Sequence, residues 1–577
     1  MLLLPALATG LLLDDHVLQI KSRTHTGVAG LSAEPAFLFT FTTGNEAQNR
    51  LLMDEGALLP WWTDPHHLNA FFRPLSSLTH LIDFALWPKA AWLMHAHSLL
   101  WYAVLLLVLG HVYRRLAATP ASLALGVLAL LIYAIDDAHG SAVAWVANRN
   151  ALVSAALALP ALSSLHRSRA EGFRPGVWLG PLCFALGLGA GETAVSIFGY
   201  IVAYAVCLDR GPLRQRLLAL APYALLLVAH RALYRAFGLG SFGSSAYHDP
   251  LREPVAFGLA LAYNLPVLLS AQLGARVADF GFWSDPSARA PLLGLSCATL
   301  ALLGWLALPL LRRDRHARFW SLGMLLAAVP MSASLPGERL LLCLGIGGSQ
   351  LIALLIFPEP AESQGPALSF LSLRKLCVAG LAFAHLVVAP LALPVRASAM
   401  GAVASVVDRM DTSVPSGPDI TDKTLVVANA PFDVAVSYLQ VMRASRGVPR
   451  PRHVHWLASA SSEIVVTRTA ERTLRVTLAR GFLRRPEETH YRSDVSGLGV
   501  GARVSLAEFD ARVVGLTPDG RPQTVDFTFS NRLDSTRYVF MCYLQGVLVP
   551  WRLPTLGASE RFAAQDFFQV IAEEVTR

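Results

Sequence analysis

Twelve apolar stretches punctuate the first 396 residues: 1–13, 91–112, 119–135, 150–165, 177–190, 194–208, 217–236, 255–273, 291–311, 318–334, 339–357 and 372–396. Each is bounded by charged or chain-breaking residues, the pattern of helices that pack in or against a bilayer. Several fall short of the roughly 20 residues that cross a hydrocarbon core, so flanking residues must complete them. From about residue 400 the runs shorten and arginines scatter. "TLVVANA" (424–430) predicts a strand and 434–445 a helix. "EIVVTRT" and "TLRVTLA" alternate with period two. So does "ARVVGLTPDGRPQTVDFTFS", which turns at Pro518, Asp519 and Gly520. "YVFMCYLQGVLVPWRL" predicts a further hairpin with Gly546 near its turn. The expected fold class is an all-α polytopic membrane domain over 1–398, carrying a large loop at 14–90, then a mostly β soluble domain over 399–577.

Composition agrees with the pattern. Charged residues make up 15% of the chain, against roughly 25% in a soluble protein, and the mean hydropathy is +0.46. The net charge of +8 lies largely in short runs between apolar stretches, so nucleic acid is not an expected partner. Five cysteines sit in apolar stretches, Cys542 stands outside them, and no CxxC pair occurs. Neither a zinc ribbon nor a disulfide framework is expected. Residues 1–13 lack the positive start of a signal peptide and meet carboxylates where a cleavage site would lie, so a first transmembrane helix is expected there.

Basic runs set the orientation. Arg114-Arg115, His166 to Arg174, Arg210 to Arg216, and Arg312 to Arg318 belong on the cytoplasmic side. Were 255–273 also a span, the last run would fall outside. That stretch, interrupted by Pro266, is therefore expected to lie along the outer surface or to re-enter. Eleven spans remain, in a multi-pass protein of the plasma (inner) membrane with the 14–90 loop and the C-terminal domain extracytoplasmic.

This orientation gathers ionisable residues on one side. Asp14, Asp15 and His16 follow the first stretch, and Arg73 lies in the large loop. Asp136, Asp137, His139 and Arg149 follow the third stretch, Glu192 lies between two others, and Glu338 and Arg339 stand in "SLPGERLLL". Ionisable groups at membrane depth usually face a cavity or a partner. A carboxylate there can accept a proton from an attacking hydroxyl. Arginines can hold a phosphate bidentately and offset its charge as it departs. A lipid-linked phosphate meets that need, with its tail in the bilayer and its headgroup among arginines. Each residue also has a plainer role. Asp14 and Asp15 can end a helix, Arg73 can anchor at the interface, and His139 with Arg149 can form an internal pair. Glu192 can pair with a nearby cation, and Arg339 can snorkel. The aromatics Trp61, Trp62, Phe71, Phe72 and Trp87 fit an interfacial belt. No histidine spacing matches a metal motif, although a divalent ion between Asp14 or Asp15 and a phosphate is chemically reasonable.

"LLLDDH", "FFRPLSSLTHLIDFALW", "HGSAVAWVANRNALVSAAL", "GAGETAV" and "LPGERLLLCLGIG" occur in this order. Together they resemble the GT-C membrane glycosyltransferases, especially the branch with the transmembrane, tetratricopeptide-carrying O-mannosyltransferases and their bacterial relatives. The resemblance covers about residues 1–360. It implies an inverting transfer of sugar from a polyprenyl-phosphate donor to a hydroxyl of a protein or glycan acceptor, on the outer face of the bilayer. It places the catalytic carboxylate on Asp14 or Asp15 and the donor phosphate near Arg73, His139, Arg149 and Arg339, with His16, Glu192 and Glu338 in support. No metal or other cofactor is required by it. The chain departs from the pattern at Asp136-Asp137, where relatives often carry His-Pro, and at Gly191, where they carry Lys. The competing expectation is a non-catalytic relative that binds glycolipid or scaffolds the envelope. Residues 400–577 show no tetratricopeptide periodicity, so nothing carries over to them.

Overall fold

The computed structural model describes residues 1–117, 119–275, 277–279, 286–357, 368–565, 569–571 and 574. Two compact units emerge, the first from 1–10, 71–238 and 253–400, the second from 11–70, 239–252 and 401–577. Most of the large loop, as far as residue 70, and a short segment near residue 245 thus fold with the C-terminal part of the chain, while 71–90 belong to the first unit.

The first unit is helical. Five helices are long and apolar enough to cross a membrane: Ala91–Leu116, Leu213–Ala236, Pro254–Ala275, Pro286–Arg313 and Leu373–Ser413. Pro120–Ala134, Gly176–Ala190, Thr193–Cys207 and Leu344–Ile356 are apolar but shorter. A helix of 15 residues is about 22 Å long, less than the ~30 Å of a hydrocarbon core. Two expectations are corrected. Residues 1–13 form no helical span: Pro5 starts a single 3-10 turn at Leu4–Ala8, and Gly10 (φ 77°) and Leu13 (φ 41°) break the chain before a helix begins at Asp14. Pro266 does not interrupt its stretch; it lies inside the helix Pro254–Ser270, which runs on through a π turn at Ala271–Ala275.

Small residues let the helices close up. A Cβ on Gly199 would stand 2.8 Å from the Ala327 nitrogen, so this glycine permits the approach of Thr193–Cys207 to Arg315–Met331. Large buried side chains fill the space between other helices, among them Tyr133, Phe184, Tyr200 and Phe319.

The second unit carries three sheets. Strands β1 (Thr40–Thr43), β2 (Leu68–Ala70) and β3 (Gly240–Phe242) form an antiparallel trio. Strands β4 (Thr424–Val427), β5 (His453–Trp456), β11 (Tyr538–Leu544) and β12 (Val547–Pro550) form a mixed sheet in the order β12-β11-β4-β5. The remaining strands are β6 (Ile464–Ala470), β7 (Thr473–Leu478), β8 (Arg503–Ser505), β9 (Phe509–Leu516), β10 (Pro522–Phe529) and β13 (Ser559–Phe562). They form an antiparallel sheet in the order β13-β6-β7-β10-β9-β8. The three predicted hairpins are the pairs β6–β7, β9–β10 and β11–β12, and Gly546 takes φ 90° at the last turn. Trp61 and Trp62 are buried in this unit rather than forming an interfacial belt. Trp61 packs edge-on to Phe482 and Phe527, and the two indole N–H groups donate to the carbonyls of Leu457 and Glu488.

Candidate functional site

The polar centre of the first unit is built around a break in the helices. The chain leaves Arg315–Met331, passes through residues 332–337 and makes a 3-10 turn at Glu338–Leu342 before Leu344–Ile356 begins. Such a break leaves carbonyls without helical partners, which an apolar setting penalises. Tyr133 donates to Leu342 O (2.9 Å) and Tyr200 to Cys343 O (2.8 Å), and Tyr200 also accepts the Gly347 N–H (2.8 Å); within the first turn of the next helix, Tyr113 donates to Ile346 O (2.6 Å). The Asn264 amide donates to Ser332 O and Ser334 O, each at 2.9 Å. Glu338 and Arg339 are therefore presented on a pinned connector.

Arg396, near the end of the last apolar stretch, gathers the carboxylates. Its guanidinium lies 2.8 Å from Asp137 Oδ2 and 3.2 Å from Asp279 Oδ2, and it donates at 2.9 Å to Glu338 Oε1. Asp279 Oδ1 in turn accepts from the Glu338 N–H (2.9 Å). Asp136 accepts from the Gln272 amide (3.0 Å) and from Ala138 N–H (3.1 Å). A Cβ on Gly140 would stand 2.9 Å from that of Arg396, so only glycine in "HGSA" lets the two backbones approach this closely. His139 is buried beneath the cluster, with Nδ1 3.0 Å from the Tyr102 hydroxyl and its ring against Tyr133.

Charge makes Glu338 unusual. Burial pushes its carboxyl up to about 7, and the nearby Asp279 adds to the effect against the opposing pull of Arg396. The group can therefore hold or release a proton near neutrality. Beside it, Arg339 is half-buried with its guanidinium 5.4 Å from the Trp145 ring centre, and among the described residues it forms no ion pair. Among the described residues no group of three His, Cys, Asp or Glu could hold a metal ion.

The other expected site residues are held by other partners. Arg73 donates to Glu192 (2.8 Å), whose other oxygen accepts from Tyr234, and the arginine also covers the Phe71 ring. The cation beside Glu192 thus comes from the loop arginine and not from position 191. Arg149 is fully buried and 2.5 Å from Asp83; it also donates to Ser98 Oγ (3.0 Å) and Met94 O (2.6 Å). His97 bridges to the same aspartate at 2.7 Å.

Asp14, Asp15 and His16 belong to the second unit and start a helix at Asp14–Lys21. Both carboxylates stand in its first turn, where they complement the helix dipole. Asp14 accepts from the Tyr438 hydroxyl, and Asp15 from Leu12 N–H (2.9 Å). His16 is buried, with Nδ1 2.7 Å from Ser445 Oγ. Burial, with Arg446 adding, lowers its imidazole to about 3, so it is neutral.

Sequence reasoning missed Arg396, Asp279, Gln272, Asp83 and Trp145. Arg396 had a signal, a lone arginine at the end of the 372–396 apolar stretch, and so did Asp83, a lone carboxylate in "LTHLIDFALW".

Between the helices of this unit lies a cavity of about 140 Å³, lined by apolar side chains including Leu273, Leu303, Leu351, Ile352 and Leu381. None of the carboxylates gathered by Arg396 lines this cavity. No family model matches the chain, and no curated protein aligns with it significantly.

Proposed function

We propose that the chain is a membrane glycosyltransferase that moves a sugar from a polyprenyl phosphate to a hydroxyl acceptor, with inversion. The observation that carries the reading is the Glu338–Arg339 pair: a carboxyl able to take a proton near neutrality beside an arginine without an ion-pair partner among the described residues. The apolar cavity among the helices of the same unit supports a lipid-linked substrate. In this reading the acceptor hydroxyl gives its proton to the Glu338 carboxylate as its oxygen bonds to the anomeric carbon. The bond from that carbon to the phosphate oxygen breaks, and polyprenyl phosphate leaves with the electron pair. Arg339 offsets the charge that grows on the departing phosphate. Arg396 and Asp279 position Glu338.

The test is release of polyprenyl phosphate from a polyprenyl-phosphate sugar by the purified full-length protein. Glu338→Gln is expected to slow turnover by about 10²-fold or more, the usual scale of a lost general base. Arg339→Gln is expected to weaken donor binding as well as turnover. Asp14→Asn with Asp15→Asn decides between bases: retained turnover keeps the role on Glu338, and its loss moves the role to that pair. Binding of the donor without release by the unaltered protein, whatever acceptor is supplied, would leave a glycolipid-binding scaffold.

A further inference from the structure

In the six-stranded sheet, strand register fixes which side chains share the solvent face. One row crosses all six strands: Ser559 opposite Thr467, then Arg475, Asp526, Arg512 and Arg503. Threonines extend the hydroxyl surface on either side, Thr477 opposite Thr524 and Thr473 opposite Thr528. These outward positions are exposed or half-buried, and no aromatic ring stands among them.

Most of the charges are matched within the face. Arg475 grips Asp526 with two bonds of 2.7 and 2.8 Å, and Arg561 lies 3.4 Å from Glu463. Arg503 and Arg512 differ. They are exposed, stand directly opposite each other and form no ion pair among the described residues. Like charges directly opposite across a strand pair are destabilising. An anion held between them turns that repulsion into two charge-assisted bonds. Asp510, on the same face and opposite Ser505, limits how dense a negative charge the surface accepts. That favours a polymer with spaced carboxylates over phosphate-dense nucleic acid. The outward rows carry a half-buried Val465 but no aromatic side chain able to insert, which disfavours a bilayer surface.

We infer that the solvent face of this sheet binds a carboxylated polysaccharide, with Arg503 and Arg512 clamping a uronate carboxylate and the threonine hydroxyls meeting sugar hydroxyls. This site stands independently of the donor chemistry of the first unit. The probe is oligogalacturonate titrated into detergent-solubilised full-length protein, with dextran and double-stranded DNA in parallel. Binding is expected to weaken as salt rises. Arg503→Gln with Arg512→Gln is expected to lower affinity about tenfold or more, with the unfolding temperature unchanged or raised because a repulsion is gone. Arg503→Glu, which offers Arg512 an internal partner, is expected to abolish binding while stabilising the fold. Unaltered affinity in the double variant would overturn the proposal, and so would binding of dextran or DNA as tight as that of oligogalacturonate.

Discussion

Asp83 and Arg149 are both fully buried and form an ion pair, which His97 joins through the same aspartate. The arginine also donates to Ser98 and the Met94 carbonyl, so much of its hydrogen bonding is met within its own unit. Removing one partner of a buried ion pair strands the other and costs about 3–5 kcal/mol, whereas apolar replacement of both is often tolerated. Arg149→Met is therefore expected to lower the unfolding temperature and the folded yield sharply, and Asp83→Leu with Arg149→Met to recover much of both. A folded, fully stable Arg149→Met protein that had lost donor binding would instead make Arg149 the phosphate ligand of the sequence reading. Arg339 presents the opposite case, half-buried and outside any described ion pair, so its replacement is expected to spare the fold.

Elements whose pattern is local were legible in the sequence. The stretches at 91–112, 217–236 and 291–311 became helices at Ala91–Leu116, Leu213–Ala236 and Arg289–Arg313, because an apolar run between basic ends needs no distant partner to be recognised. The three hairpins were legible for the same reason, since period-two alternation and turn residues sit within a few positions of one another. What depended on distant partners was hidden. Trp61 and Trp62 look alike whether they face lipid or a protein core, and Phe482 and Phe527 decide the matter from more than 400 residues away. The candidate site was half legible: Glu338, Arg339 and Asp137 lie in conspicuous polar breaks, but the Arg396 that joins two of them does not. Two short elements of the second unit carry a further hidden property. The helix Asp433–Ser437 and the turn Pro486–Thr489 bury Asp433, Glu487 and Glu488. Burial pushes Glu487 up to about 7, with the charge of Glu488 adding, and lifts Asp433 well above the carboxylate range. The folded protein therefore keeps protons that the unfolded chain releases above about pH 4.5. Stability must fall as pH rises from there and bear the full cost above about 7. Glu487→Gln is expected to match the unaltered protein in acid and exceed it above neutrality by up to about 3 kcal/mol. Thermal unfolding across pH reads this directly, and parallel curves for the two proteins would refute it.

At the scale of the whole molecule, the open matter is which side of the membrane each connection occupies. Arginines at a helix C-terminus complement the dipole there, so Arg114-Arg115 and Arg312-Arg313 are only partly informative about orientation. Arg214 and Arg216 stand at the start of Leu213–Ala236, where the dipole disfavours cations, so that run is the sharper sign of a cytoplasmic end. On that sign the chain is expected to cross outward from there. Were Pro254–Ala275 then a complete crossing, Arg312 would emerge outside, against the charge rule. The polar ties of that helix, Asn264 to the Ser332 and Ser334 carbonyls and Gln272 to Asp136, suit a segment that stops at the level of the site. Beyond Arg313, the helices Arg315–Met331 and Leu344–Ile356 make one excursion and return, and the long helix ending at Ser413 carries the chain across once. On this orientation positions 312 and 500 are expected on opposite sides. In the full chain with its native cysteines replaced by serine, a membrane-impermeant maleimide is expected to label Val500→Cys in intact cells and Arg312→Cys only after permeabilisation. The reverse pattern would turn the whole chain over, with the Leu213 end outside, and put the arginine face of the β sheet in the cytoplasm, beyond the reach of any extracellular polysaccharide.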